Sequence, residues 1–183
     1  MNTAEFPSVT QVIGPLADFS RVPPDVLEIA CDRGIEVHEF AASYARGLFV
    51  DEESISPHCR GFFHSFKDWI DHHVYEVHLV ERELVDPINC YKGHPDLIVI
   101  IRGDITLSLV DLKTPRVQSP LWRLQLAAYA NLARKAGYDI HRVCALRLHP
   151  QGLYPTLTEY TGMILRDLNV FLSALNVWRF ING

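Results

Sequence analysis

The 183 residues are 48% apolar and 21% charged, the composition of a folded chain long enough to bury a core in one domain, 1–183. A net charge of −5 excludes a protein that coats nucleic acid through bulk positive charge, yet allows a nucleic-acid enzyme whose acids cluster at one place. No apolar run approaches the roughly 20 residues of a membrane span, and MNTAEFPSVT carries no basic-then-apolar leader, so no membrane association and cytoplasmic residence are expected.

In chain order, Ser8 or Thr10 is placed to cap a short helix through Val12 and Ile13 that ends near Gly14-Pro15. Ser20 to Asp25, with Pro23-Pro24, starts a second helix. Its apolar residues Val26, Ile29, Ala30, Val37, Phe40, Ala41, Tyr44 and Ala45 recur at helical spacing up to Arg46, before Gly47. Gly34 interrupts this run at a bend or close approach. Ser56-Pro57 starts a third helix, whose stripe of Phe62, Phe63, Phe66, Trp69 and Ile70 reads as one buried face. Together these form an N-terminal helical part over about 8–73.

The rest, about 74–183, reads as a sheet core with flanking helices. Val74 to Val85 is β-rich, with Glu81 and Glu83 on one strand face by alternation. Strands follow near Cys90–Asp96, continuing to Ile101, and at Thr106–Lys113, joined by the turn Arg102-Gly103-Asp104. A helix runs from about Ser119 to Lys135, with Gly137 as its stop. A strand spans His141 to Leu148, leaving Arg142, Arg147 and His149 available to solvent or substrate. A turn at Gly152 to Pro155 precedes a C-terminal helix from Thr161 through Trp178, expected to pack on the sheet. The fold class is therefore α/β, a central mixed sheet flanked by helices.

Cys31, Cys59, Cys90 and Cys144 are scattered and read as reduced, mostly buried thiols. The six histidines between 58 and 94 lack a paired ligand spacing and read as mostly solvated.

One stretch carries chemistry: Gly93-His94-Pro95-Asp96 through Asp111-Leu112-Lys113-Thr114. Alternation points Asp111 and Lys113 the same way and Leu112 into the core. Pairing of the two strands brings Asp96 close to Asp111. Two carboxylates on one small patch need a cation to offset them. A hard divalent ion, Mg2+ or Mn2+, held by Asp96, Asp111 and the Leu112 carbonyl meets that need. It would polarise a phosphoryl oxygen and activate water, with Lys113 orienting that water. Gln125 and Tyr129, four apart on one helix face, would lie beside the patch. Glu81 or Glu83 would be either a solvated face or a further acid leaning toward it.

These residues jointly resemble the PD-(D/E)XK nuclease superfamily: Pro95-Asp96 as PD, Asp111-Leu112-Lys113 as DxK, Gln125 to Tyr129 as QxxxY. Gly34-Ile35-Glu36-Val37-His38 matches the upstream histidine of the RecB-like exonuclease branch. Pro7 to Thr10 and Ala30 to His38 are similar to phage-encoded members and to mitochondrial genome maintenance exonucleases. The resemblance covers roughly residues 6–135. It implies a restriction-endonuclease-like core and a DNA exonuclease acting on single strands or ends in recombination, repair or replication. It also implies a bacterial or phage-infected cell and contacts with recombination or replication proteins. A structure-specific endonuclease or a non-catalytic adaptor of the same fold are the alternatives. By resemblance, Asp96, Asp111 and His38 are metal residues, Lys113 is the catalytic lysine, Gln125 and Tyr129 organise the site, and Glu81 is the preferred extra acid. The C-terminal cysteine triplet of iron–sulfur members is missing, so no cluster is expected.

Overall fold

The computed structural model of the chain describes residues 6–182; Met1 to Glu5, half of the N-terminal stretch searched for a leader, lie outside them. Helix α1 (Val9–Ile13) is held by a reciprocal capping box. The Gln11 amide donates to Ser8 Oγ at 3.1 Å, and the Ser8 amide donates to Gln11 Oε1 at 2.8 Å. Helix α2 (Pro24–Ala45) begins on the proline pair and passes through Gly34 unbroken. A methyl at Gly34 would find only Thr114 Oγ1, at 4.0 Å, so neither a bend nor crowding requires glycine there. Helix α3 (Pro57–His73) buries the whole aromatic stripe, as its spacing predicts.

Strand β1 (Val74–Val80) follows α3 directly. Next come a small hairpin of β2 (Leu84–Asp86) and β3 (Tyr91–Gly93), then β4 (Leu97–Ile101) and β5 (Leu107–Lys113). Helix α4 (Leu121–Lys135) crosses to β6 (Ile140–Arg147), and β7 (Thr156–Glu159) precedes α5 (Ile164–Asn182). The main sheet has the order β1-β4-β5-β6-β7. Only β5 and β6 run parallel, the pair that α4 connects. The fold is thus α/β, a mixed five-stranded sheet with helices on both faces.

Alternation sorts the core into two clusters. Leu97, Val99, Val110, Leu112, Cys144 and Leu146 face α2 and α3, whereas Ile98, Leu109, Val143 and Ala145 pack with α1, α4 and α5. By the same parity Asp111 and Lys113 lie on the α4 side. No helix among the described residues is long and apolar enough to cross a membrane.

Four expectations need correction. The stretch from Cys90 to Ile101 is two strands in different sheets, because Pro95 has no amide to give a ladder. Val74 to Val85 is likewise broken. Glu81 takes a left-handed backbone, φ 45°, and its amide donates to the Asp96 carbonyl at 3.0 Å. Glu81 and Glu83 therefore do not share a strand face. Thr156–Glu159 is a strand that its polar sequence conceals, lying at the edge of the sheet. Finally, α5 packs chiefly on α4 and α1, so that α4 lies between it and the sheet.

Candidate active site

The acids meet at the end of the sheet where β4 starts and β5 finishes. The Leu97–Val110 pairing fixes this, since it sets Asp96 one step before and Asp111 one step after the same rung. Asp96 Oδ2 accepts the Leu112 amide at 2.6 Å, which ties the two strands together at the acids themselves. Helix α2 is anchored by the buried Val37 and Ala41, and it delivers His38 to this point. His38 Nδ1 lies 3.2 Å from Asp96 Oδ1 and 3.7 Å from Glu81 Oε1. The left-handed backbone at Glu81 is what turns its carboxylate inward. Arg46 at the end of α2 donates to the Val80 carbonyl at 3.1 Å and secures that corner. Glu83 points elsewhere, to Lys92 at 3.1 Å and His94 at 3.7 Å.

On the α4 side, Lys113 forms an ion pair with Asp111 and donates to Gln125 Oε1 at 2.7 Å. Gln125 Nε2 in turn donates to the Tyr129 hydroxyl at 3.2 Å. The four-residue spacing on α4 makes this relay possible. Trp122, one turn earlier, places its ring 5.8 Å from Lys113 Nζ. The sequence reading passed over Trp122, although its spacing of three from Gln125 puts it on the same face. Gly93 is required by a close approach: any Cβ there would lie 2.6 Å from the Tyr129 ring.

The site is strongly polarised. Burial opposes ionisation of Asp96, but His38, Lys113 and the Leu112 amide hold it below the ordinary carboxylate range. Burial drives Asp111 the other way, against the pull of Lys113 and with the help of the Asp96 charge, to about 6. Burial also disfavours a charged His38, yet Asp96 and Glu81 outweigh it and raise the imidazole to about 10. Burial and the charge of Asp111 keep the Tyr129 phenol protonated.

One ligand atom each from His38, Glu81 and Asp96 lies within 4.8 Å of the others, a set that fits a cation. Asp111, expected among the ligands, falls outside this triad because Lys113 holds it. The Lys113 ammonium sits directly against Asp111 Oδ2, so a cation at this oxygen would compete with that ion pair. Leu112 stands between the two acids, its amide already bonded to Asp96. Two carboxylates suit Mg2+ or Mn2+, and the imidazole nitrogen favours the transition ion. A cleft of about 760 Å³ opens over His38 and Glu81, bordered by Ser43 and Arg46.

Glu36, His58 and Cys59 form a second convergence. There Glu36 Oε1 accepts the Ser56 amide at 2.6 Å, and burial with the Glu36 charge pushes the Cys59 thiol up to about 11. Glu36 thus fastens the start of α3, and a thiol held protonated makes a poor ligand. Of the basic residues near β6, Arg142 is taken up by Asp104 and Glu159. No protein-family model matches the chain, and no curated protein matches it.

Two predictions follow from this geometry. Gly93→Ala should push the Tyr129 ring aside and destabilise the protein by about 1–3 kcal/mol in urea unfolding; an unchanged midpoint would contradict the close approach. A ligating imidazole must be neutral, and His38 stays protonated below about 10. Mn2+ binding should therefore expel that proton and tighten with pH, by up to about tenfold per unit. Calorimetry in two buffers of different protonation enthalpy should show about one proton released near neutral pH, and His38→Ala should abolish the release.

Proposed function

We propose that this chain is a divalent-metal-dependent deoxyribonuclease of the PD-(D/E)XK type, an exonuclease of the RecB-like branch acting on single-stranded DNA or DNA ends. One observation carries the reading. His38, Glu81 and Asp96, drawn from three separate stretches, converge beside an Asp111–Lys113 pair whose lysine is held by Gln125, itself bonded to Tyr129. A solvated charge cluster has no need of such convergence, nor of burying Asp96 and Asp111.

His38, Glu81, Asp96 and Asp111 would hold the ion. When bound, the ion supplies polarisation of a phosphoryl oxygen and acidification of a water. The chain does the rest. Gln125 accepts from Lys113 and so fixes where the ammonium points. From that position Lys113 stabilises negative charge growing on the phosphate and orients the attacking water. Tyr129, held protonated, keeps the Gln125 amide in the orientation that presents its oxygen to Lys113. Asp111, raised to about 6, is ionised at neutral pH and regains its proton in mild acid, where activity should fall.

The test is digestion of end-labelled linear single strands and closed circular single strands with Mn2+, against an EDTA control. Linear DNA should be degraded and circles left intact. Lys113→Ala should lower the rate at least about 100-fold while retaining Mn2+ binding. Undiminished hydrolysis by Lys113→Ala would overturn the assignment.

A further inference from the structure

A second cleft, of about 660 Å³, adjoins the first: Gly34 lines one and its chain neighbour Arg33 the other. Arg33, Arg116 and Arg147 line it together with His149 and Tyr154, and no Asp or Glu does. In a chain of net charge −5, an acid-free cleft with three arginines is a local reversal of sign. None of the three is neutralised: among the described residues, arginine–carboxylate pairs involve only Arg123 and Arg142. Arg33 lies 5.3 Å over the Phe62 ring, and its Nε is buried with no hydrogen-bond partner.

The cleft is built firmly onto the site. The Leu148 amide donates to the Lys113 carbonyl at 2.8 Å, and the His149 amide donates to Ser65 Oγ at 3.0 Å. Gly61 on α3 lies so close to the Pro150 carbonyl that any side chain there would overlap it. Arg147 Nη1 donates to the Arg116 carbonyl at 3.0 Å and steadies the segment leaving β5. Arg116 follows Lys113 by three residues, so the basic lining begins where the acidic site ends.

Resting on the nuclease reading, we propose that this cleft binds the phosphate backbone of a single DNA strand, seating nucleotides next to the one held at Asp96 and Asp111. Guanidinium forks match phosphate oxygens, and Tyr154, 56% exposed and braced edge-on against His73, offers a ring for a base to stack on. The cleft has the volume of a small-ligand pocket, which suits a strand threaded singly better than a duplex.

Fluorescence anisotropy in EDTA, with fluorescein-labelled single-stranded DNA, RNA and duplex of equal length, tests this without cleavage. Wild type should prefer single-stranded DNA. The Arg116→Ala/Arg147→Ala protein should bind it at least about tenfold more weakly, with a salt slope shallower by about 0.7 per arginine removed. Arg116→Ala alone alters only an exposed side chain and guards against misfolding; it should show half of the slope change. Mn2+ titration should be the same in all variants. Wild type that ignores single strands or prefers duplex or RNA, or a double variant with unchanged affinity and slope, would overturn the proposal. Binding as expected but no hydrolysis after adding Mn2+ would instead sink the nuclease reading and leave the binding site standing.

Discussion

Two carboxylates buried at the end of one sheet are the constraint around which the chain is arranged. Asp96 and Asp111 are 6% and 1% exposed, and the charge of each raises the energy of the other. Burial of such a pair is tolerable only where opposite charge and donors surround it. The chain supplies them from all sides: His38 from α2, Lys113 from the same strand as Asp111, and the Leu112 amide from the backbone between. Glu81 adds a third carboxylate beside His38, so three acids face two cationic side chains. The remaining demand is for positive charge, and a divalent ion would meet it.

That demand explains several irregularities at once. A regular strand through residues 74–85 would leave Glu81 on the ladder. A left-handed backbone, worth about 1–2 kcal/mol of strain for a residue with a Cβ, turns it toward His38 instead. The strand expected through Gly93 to Asp96 is broken in the same region, after Gly93, whose missing side chain leaves room for the Tyr129 ring. Glu81 donates its amide to the Asp96 carbonyl, so the two irregular points support each other. Strain concentrated where acids gather is a common mark of a working site.

The sequence was most legible where chemistry follows period. The parity of Asp111 and Lys113 and the four-residue spacing of Gln125 and Tyr129 each place side chains on one face, and both faces meet. The Ser8 cap and the α3 stripe were equally readable, because capping and amphipathicity are local. Glu81 was misread as a strand residue because alternation assumes an unbroken strand, and no residue type announces a left-handed glutamate. His38 is silent by spacing alone; tertiary packing of α2 gives it meaning. Of the basic cleft only Arg147 and His149 were legible, as side chains open to solvent or substrate; Arg33 and Arg116 join them from distant stretches. β7 was invisible because its partly exposed edge position removes the apolar alternation that marks other strands.

The most direct test of the central claim is a crystal structure of the protein soaked in Mn2+, with anomalous data collected at the manganese edge. The account predicts one strong peak within about 2.0–2.3 Å of Asp96 and Asp111 oxygens, with His38 or Glu81 completing the set. No peak there, or one bound elsewhere while Asp111 remains paired with Lys113, would contradict it.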